Sequence, residues 1–364
     1  MAEYRSTGRE LRKSPKGVIA AIFAILLTAG AAYGASRVLK GMESLETAFD
    51  STDTELSVPE LDEESEEESP DGIQYGNAEL YVSRIHHGPL TLVNQDYPTE
   101  DSDEGLISVF EKKADIVAVR DMEVILQEEA VEAINQLAVA FQNATGHTDL
   151  LIMNGYITKD AQKRLYEADL QRTGGNSSDL YAIPGCSEYE TGYSFELAIY
   201  NGGFHDFSPE GDYAWILEHC AEYGFIQRYP ANKADLTGVS DQPNVFRYVG
   251  IPHAWFMAKN NLCLEEYLEV LEGYPYDGGH LRLNDPIGRS YEAYYVSVDP
   301  TTVDPTVIIP VPKDKPFNFS GNNKHGFFVT AELGWQDQDT WASGTTIPST
   351  SLPPETTTTT TVLN

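Results

Sequence analysis

Residues 187–196 read Ser-Glu-Tyr-Glu-Thr-Gly-Tyr-Ser-Phe-Glu, and residues 242–250 read Gln-Pro-Asn-Val-Phe-Arg-Tyr-Val-Gly. Each run passes into a short aromatic and β-branched segment, which predicts strands over 193–200 and 245–249. Working outward, Ala130, Ile134, Leu137 and Phe141 recur at three- and four-residue steps. That spacing predicts a helix over 126–141, which Gly146 stops. Residues 149–153, DLLIM, read as a buried strand, and Thr158 as the N-cap of a helix over 159–171. A helix over 212–223 with Gly224 at its C-cap, a strand over 225–228 and a helix over 263–272 follow. Helices and strands so ordered make an α+β pattern.

Beyond residue 285 the character changes. The runs 291–298, 306–311, 317–319 and 326–330 are β-branched and aromatic, so a small β-rich module is expected over 285–342. Residues 343–364 are rich in Thr, Ser and Pro and read as a disordered tail. At the other end, residues 1–16 are basic, and 17–35 form an uncharged stretch, GVIAAIFAILLTAGAAYGA. Its length suits a transmembrane signal-anchor, with the basic segment in the cytoplasm and the bulk of the chain outside the cell. A cleaved signal peptide is the competing reading. Residues 36–75 are an acidic, disordered linker, and 76–125 an arm of the core at 126–284.

The 364 residues carry 57 acidic and 24 basic side chains, a net charge of −33. A surface of that sign repels nucleic acid, so none is expected as a partner. The three cysteines, Cys186, Cys220 and Cys263, have no metal-type spacing. One disulfide with a free thiol and three buried thiols are both compatible with them.

Several short stretches fall in a recognisable order. They are Asn154-Gly-Tyr156, Gln162, Pro184-Gly-Cys-Ser-Glu188, Thr191-Gly192, Tyr223-Gly-Phe-Ile-Gln-Arg-Tyr-Pro230, Thr237-Gly238, Phe246-Arg-Tyr-Val-Gly250, His253-Ala254 and Leu264-Glu-Glu-Tyr-Leu268. Together they resemble the core of VanY-type D-alanyl-D-alanine carboxypeptidases. The resemblance covers about 126–273 and implies the Hedgehog/D,D-peptidase fold, an antiparallel sheet with flanking helices. It also implies an enzyme outside the membrane that trims the terminal D-alanine of peptidoglycan stem peptides. In that family two histidines and an aspartate hold zinc, from the motifs S-x-H-x-x-G-x-A-x-D and E-x-W-H, and the glutamate of the second acts on water.

Carried over position by position, the first histidine falls on Tyr189 and the aspartate on Glu196. The second histidine falls on Val245, and the general base on Gln242. Valine has no donor, and tyrosine binds metal only as phenolate. An amide cannot take a proton from water at neutral pH. The family's arginine after Gly-Tyr, a substrate contact, is Ile157 here. The resemblance therefore predicts a degenerate site at Tyr189, Glu196 and Val245, with no cofactor, although the family uses zinc. Ile157, Gln162, Ser187, Tyr189, Glu196 and Arg228 are the candidate cleft residues. The expected function is a membrane-anchored pseudo-peptidase that binds a stem peptide or a cell-surface protein. The alternative is an active metallo-carboxypeptidase with an altered ligand set.

Overall fold

The computed structural model describes residues 72–178 and 180–335. The basic segment 1–16, the apolar stretch 17–35, residues 36–71 of the acidic linker and the tail 343–364 lie outside them. The strands are β1 Tyr75–Tyr81, β2 Leu106–Ser108, β3 Ala118–Val119, β4 Ile125–Gln127, β5 Leu150–Asn154, β6 Ser194–Tyr200 and β7 Phe204–Asp206. They continue as β8 Phe225–Tyr229, β9 Gln242–Tyr248, β10 Leu281–Asn284, β11 Arg289–Ser297, β12 Thr306–Pro312, β13 Phe317–Gly321 and β14 Gly326–Trp335. The helices longer than one turn are α1 Glu128–Thr145, α2 Lys159–Thr173, α3 Ala214–His219, α4 Ile251–Asn260 and α5 Leu264–Glu272.

The central sheet has the order β3-β5-β6-β9-β8, with β7 paired to β6. Only β3–β5 is parallel. Alternation along each strand decides which side faces the core. Leu150 and Ile152, Phe195 and Leu197, and Phe246 pack with Ile134, Leu137 and Phe141 of α1. That leaves the intervening Glu196 and Val245 on the other face, and a register irregularity between Ile152 and Asn154 brings Asn154 opposite Glu196. Gly146 closes α1 in the left-handed conformation, φ 82°, its N–H donating to Gln142 O. The Thr158 hydroxyl caps α2 by accepting from Ala161 N–H. The helix predicted over 212–223 is broken. Turns of 3-10 helix at Gly211–Tyr213 and Cys220–Tyr223 flank α3.

The β-rich region forms the sheet β10-β11-β14-β13. It does not stand apart. Leu281, Leu283, Ala293 and Phe328 share a core with Phe256, Leu264, Leu268 and Leu271 of α4 and α5. Strand β12 leaves that sheet to pair with β1, from Tyr75↔Pro312 to Tyr81↔Thr306. All three cysteines are free, and Cys220 and Cys263 are buried.

One expectation is corrected here. The placing of the chain as a single-pass membrane protein rests on 17–35, outside the described residues, and no helix among the described residues is long and apolar enough to cross a membrane. The longest, α1, carries Glu128, Glu129 and Glu132 opposite its buried face.

Candidate functional site

Strands β6 and β9 are antiparallel, with Glu196 opposite Val245. On the other flank Asn154 of β5 is opposite Glu196. The three residues thus form a row across the sheet. Tyr189 joins the row from the 3-10 turn Glu188–Thr191 that precedes β6. Gly192 ends that turn at φ 72°, where a Cβ would stand 2.6 Å from Leu106 Cδ2. Only glycine fits both the conformation and the space.

The Tyr189 hydroxyl donates to Glu196 Oε1 at 2.8 Å. Asn154 Nδ2 donates to Glu196 Oε2 at 2.6 Å. Arg120 Nη1 in turn donates to Asn154 Oδ1 at 2.5 Å. Burial first, and then the charge of Glu196, push the Tyr189 phenol far above its ordinary range, so it stays protonated. Val245 is 1% exposed and carries no polar atom. Gln242 lies opposite Tyr229 at the start of β9. The Ile157 N–H donates to Tyr189 O at 3.4 Å, which sets the isoleucine beside the turn that carries Tyr189.

The other sequence candidates take different places. Gln162 is buried in α2, and its Nε2 donates to Ala182 O at 2.8 Å, so it holds the loop before the cleft. Ser187 is buried. Arg228 is 1% exposed, and its guanidinium is engaged by two carboxylates. Its Nε donates to Glu188 Oε2 at 3.0 Å, and Nη1 and Nη2 donate to the Glu265 carboxylate at 3.0 and 2.7 Å. Arg247 Nη1 donates to Glu188 Oε1, which also accepts from Ser194 Oγ at 3.0 Å. Arg247 Nη2 donates to Pro89 O and Thr91 O at 3.0 and 2.9 Å. Burial alone would raise Glu188, but Arg247 and Arg228 outweigh it and hold the carboxyl below its usual range. This buried cluster ties the turn, β8, β9, α5 and the arm together beneath the cleft. Sequence reasoning missed Glu188, Arg247 and the role of Asn154. Their place in the Pro184–Glu188, Phe246–Gly250 and Asn154–Tyr156 stretches was the available signal.

The fold is that of the Hedgehog/D,D-peptidase group. The family model described as VanY, D-alanyl-D-alanine carboxypeptidase, matches residues 123–251. A D-alanyl-D-alanine carboxypeptidase of Enterococcus faecium is 30% identical over 257 residues, 69% of this chain and 77% of that protein. The chain belongs to the VanY D-alanyl-D-alanine carboxypeptidase family. Among solved structures, the vancomycin-resistance D,D-dipeptidase VanXYg in complex with a D-Ala-D-Ala phosphinate analog is 28% identical. The match covers 71% of this chain and 99% of that one, with a TM-score of 0.61. A mutant of the D,D-pentapeptidase VanY from a VanB-type resistance cassette, in complex with Zn(II), is 27% identical over 50% of this chain and 98% of that one, with a TM-score of 0.39.

With membership of the family shown, the zinc that the resemblance implies is the cofactor to expect, and the expectation of none is corrected on that point. Whether the residues present suit the ion is a separate matter of their own chemistry. At the three mapped positions stand a protonated phenol, a carboxylate whose two oxygens each accept a hydrogen bond, and a valine. Zinc takes deprotonated nitrogen, sulfur or oxygen donors near 2 Å. Among the described residues no group of three or more His, Cys, Asp or Glu side chains is placed to hold a metal. The donor set at Tyr189, Glu196 and Val245 does not fit the ion.

Proposed function

We propose that this chain is a pseudo-peptidase of the VanY family, whose cleft binds the end of a peptidoglycan stem peptide without cleaving it. The Tyr189–Glu196 hydrogen bond carries the reading, because it uses the carboxylate where the family holds metal. Gln242 at the general-base position points the same way. Loss of a general base alone typically costs about 10²–10⁴ in rate. What remains is a polar cleft offering the Glu196 carboxylate, the Tyr189 hydroxyl and the Gln242 and Asn244 amides. Such groups can hydrogen-bond a peptide backbone. With isoleucine at 157, no side chain at that position pairs with a terminal carboxylate, so binding is expected to be weak.

The test is to incubate the full chain, with added zinc, with a stem pentapeptide ending in D-Ala-D-Ala. Free D-alanine is measured, and binding is followed by calorimetry in parallel. Saturable binding without release above the blank is expected. Chelator-sensitive release would instead establish a metallo-carboxypeptidase with an altered ligand set around Glu196. Absence of both would leave a protein partner as the occupant of the cleft.

A further inference from the structure

Three consecutive residues of the turn before β6 serve three places. Glu188 enters the buried ion cluster, Tyr189 meets Glu196, and Glu190 lines a separate groove of about 790 Å³. Tyr189, Glu196, Gln242 and Val245 do not line this groove. It runs between the arm, the first turns of α1 and the C-terminal strands, and its volume suits a small ligand.

Glu190 is 3% exposed. Its Oε1 accepts from Gly185 N–H at 3.0 Å, while its Oε2 is buried without a partner. A buried polar atom left unpaired costs about 1–3 kcal/mol, and more for a charged group, so its persistence calls for an explanation. Burial lifts this carboxyl to about 7, even against the Gly185 N–H. Lys159 favours its charged form from nearby without bonding to it, and the ammonium is held instead by Glu100 Oε1 at 3.0 Å. Glu129 and Glu132 also line the groove, and among the described residues no basic side chain pairs with them. Beside Glu129 the rings of Tyr193 and Tyr248 are stacked, with centroids 6.3 Å apart and planes at 15°. Of the basic side chains in the groove, Arg84 is paired with Glu104, and burial keeps His253 neutral, with a pKa of about 3. Burial also lowers His87.

We propose that this groove binds a primary ammonium group on an elongated aliphatic chain, with Glu190 Oε2 as its buried acceptor. Glu129 and Glu132 supply the outer charge, and the edges of the Tyr193 and Tyr248 rings part of the wall. The same chemistry is offered by a free polyamine and by a lysyl side chain of a peptide.

The test is calorimetric titration of the full chain with spermidine, with a tri-lysine peptide and with a neutral diol of similar length. Saturable one-site binding of an amine, and none of the diol, is expected. The tighter of the two amine probes identifies the source. Glu190→Gln should weaken binding at least about tenfold, a loss of about 1.4 kcal/mol. The exposed pair Glu129→Gln and Glu132→Gln should weaken it in the same direction, and serves if the buried substitution disturbs folding. Equal affinity in all variants would mean diffuse attraction to an acidic surface and would overturn the proposal. So would a failure of the parent chain to saturate. The groove shares none of the cleft residues Tyr189, Glu196, Gln242 and Val245, so neither outcome bears on stem-peptide binding.

Discussion

The Tyr189 hydroxyl is bonded to Glu196 Oε1 at 2.8 Å, and Glu196 in turn lies opposite Val245 across the β6–β9 pair. Two sequence positions 49 residues apart are therefore neighbours on one sheet face, and a third reaches them from the preceding turn. These are the three positions onto which the resemblance carries the family's zinc ligands.

That layout predicts a gain of function. Tyr189→His, Glu196→Asp and Val245→His together should raise zinc affinity over the parent by at least about 100-fold, since two imidazoles and a carboxylate suit the ion. Competition with a chromogenic chelator measures it. A triple variant that melts cooperatively yet gains no affinity would show that the three positions do not converge.

The buried ion cluster should be costly to break. Arg247→Met removes one of the two arginine partners of Glu188 and the donor to Pro89 O and Thr91 O. Breaking a buried pair costs about 3–5 kcal/mol, and here Glu188 and Glu265 are left to share the single charge of Arg228. Urea unfolding reads the loss. A change below about 1 kcal/mol would mean that water reaches Glu188.

Much of this was legible in the sequence, and the reasons differ by element. Helix α1 was found because its apolar spacing marks one face, although it runs on to Thr145. The row of Glu196 and Val245 was found because ordered motifs fix which strands meet. For Arg228 the sequence shows an arginine but not its partners. Those partners, Glu188 and Glu265, lie 40 and 37 residues away and are set by tertiary packing. The β1–β12 pairing had no local signal at all, since strand propensity does not name a partner.

Glu190 predicts a pH dependence of stability. Its pKa in the folded chain, about 7, lies above that of an exposed glutamate. Between about 4.3 and 7 the folded state binds the extra proton, so this group destabilises the fold as pH rises through that window. Buried His253 acts oppositely: lowered to about 3, it favours the fold above the ordinary histidine range and loses that contribution on acidification. The difference in melting temperature between the parent and Glu190→Gln isolates the first effect. It should move in favour of the parent as pH falls from 7.5 to 5, roughly spanning that window. A pH-independent difference would show that Glu190 titrates as an exposed carboxyl.

Close packing of the arm against β13 predicts a steric penalty. A Cβ on Gly321 would stand 2.0 Å from Ile85 O. Gly321→Ala should therefore destabilise by about 1–3 kcal/mol, the usual cost of overpacking. Chemical denaturation measures it, and an unchanged midpoint would mean that the arm lifts freely from the strand.

The pairing of β1 with β12 has a consequence for how the chain is made. Tyr81 and Thr306 are register partners, so more than 200 residues must be synthesised before the first described strand finds its neighbour. Contacts of that span slow folding, because a long loop must close before they contribute. Until then β1 is an open edge, able to pair with whatever strand is near. A ribosome stalled before residue 306 would release a chain with its sheet core built and its first strand unmatched. Such a chain is poised to associate with others like it.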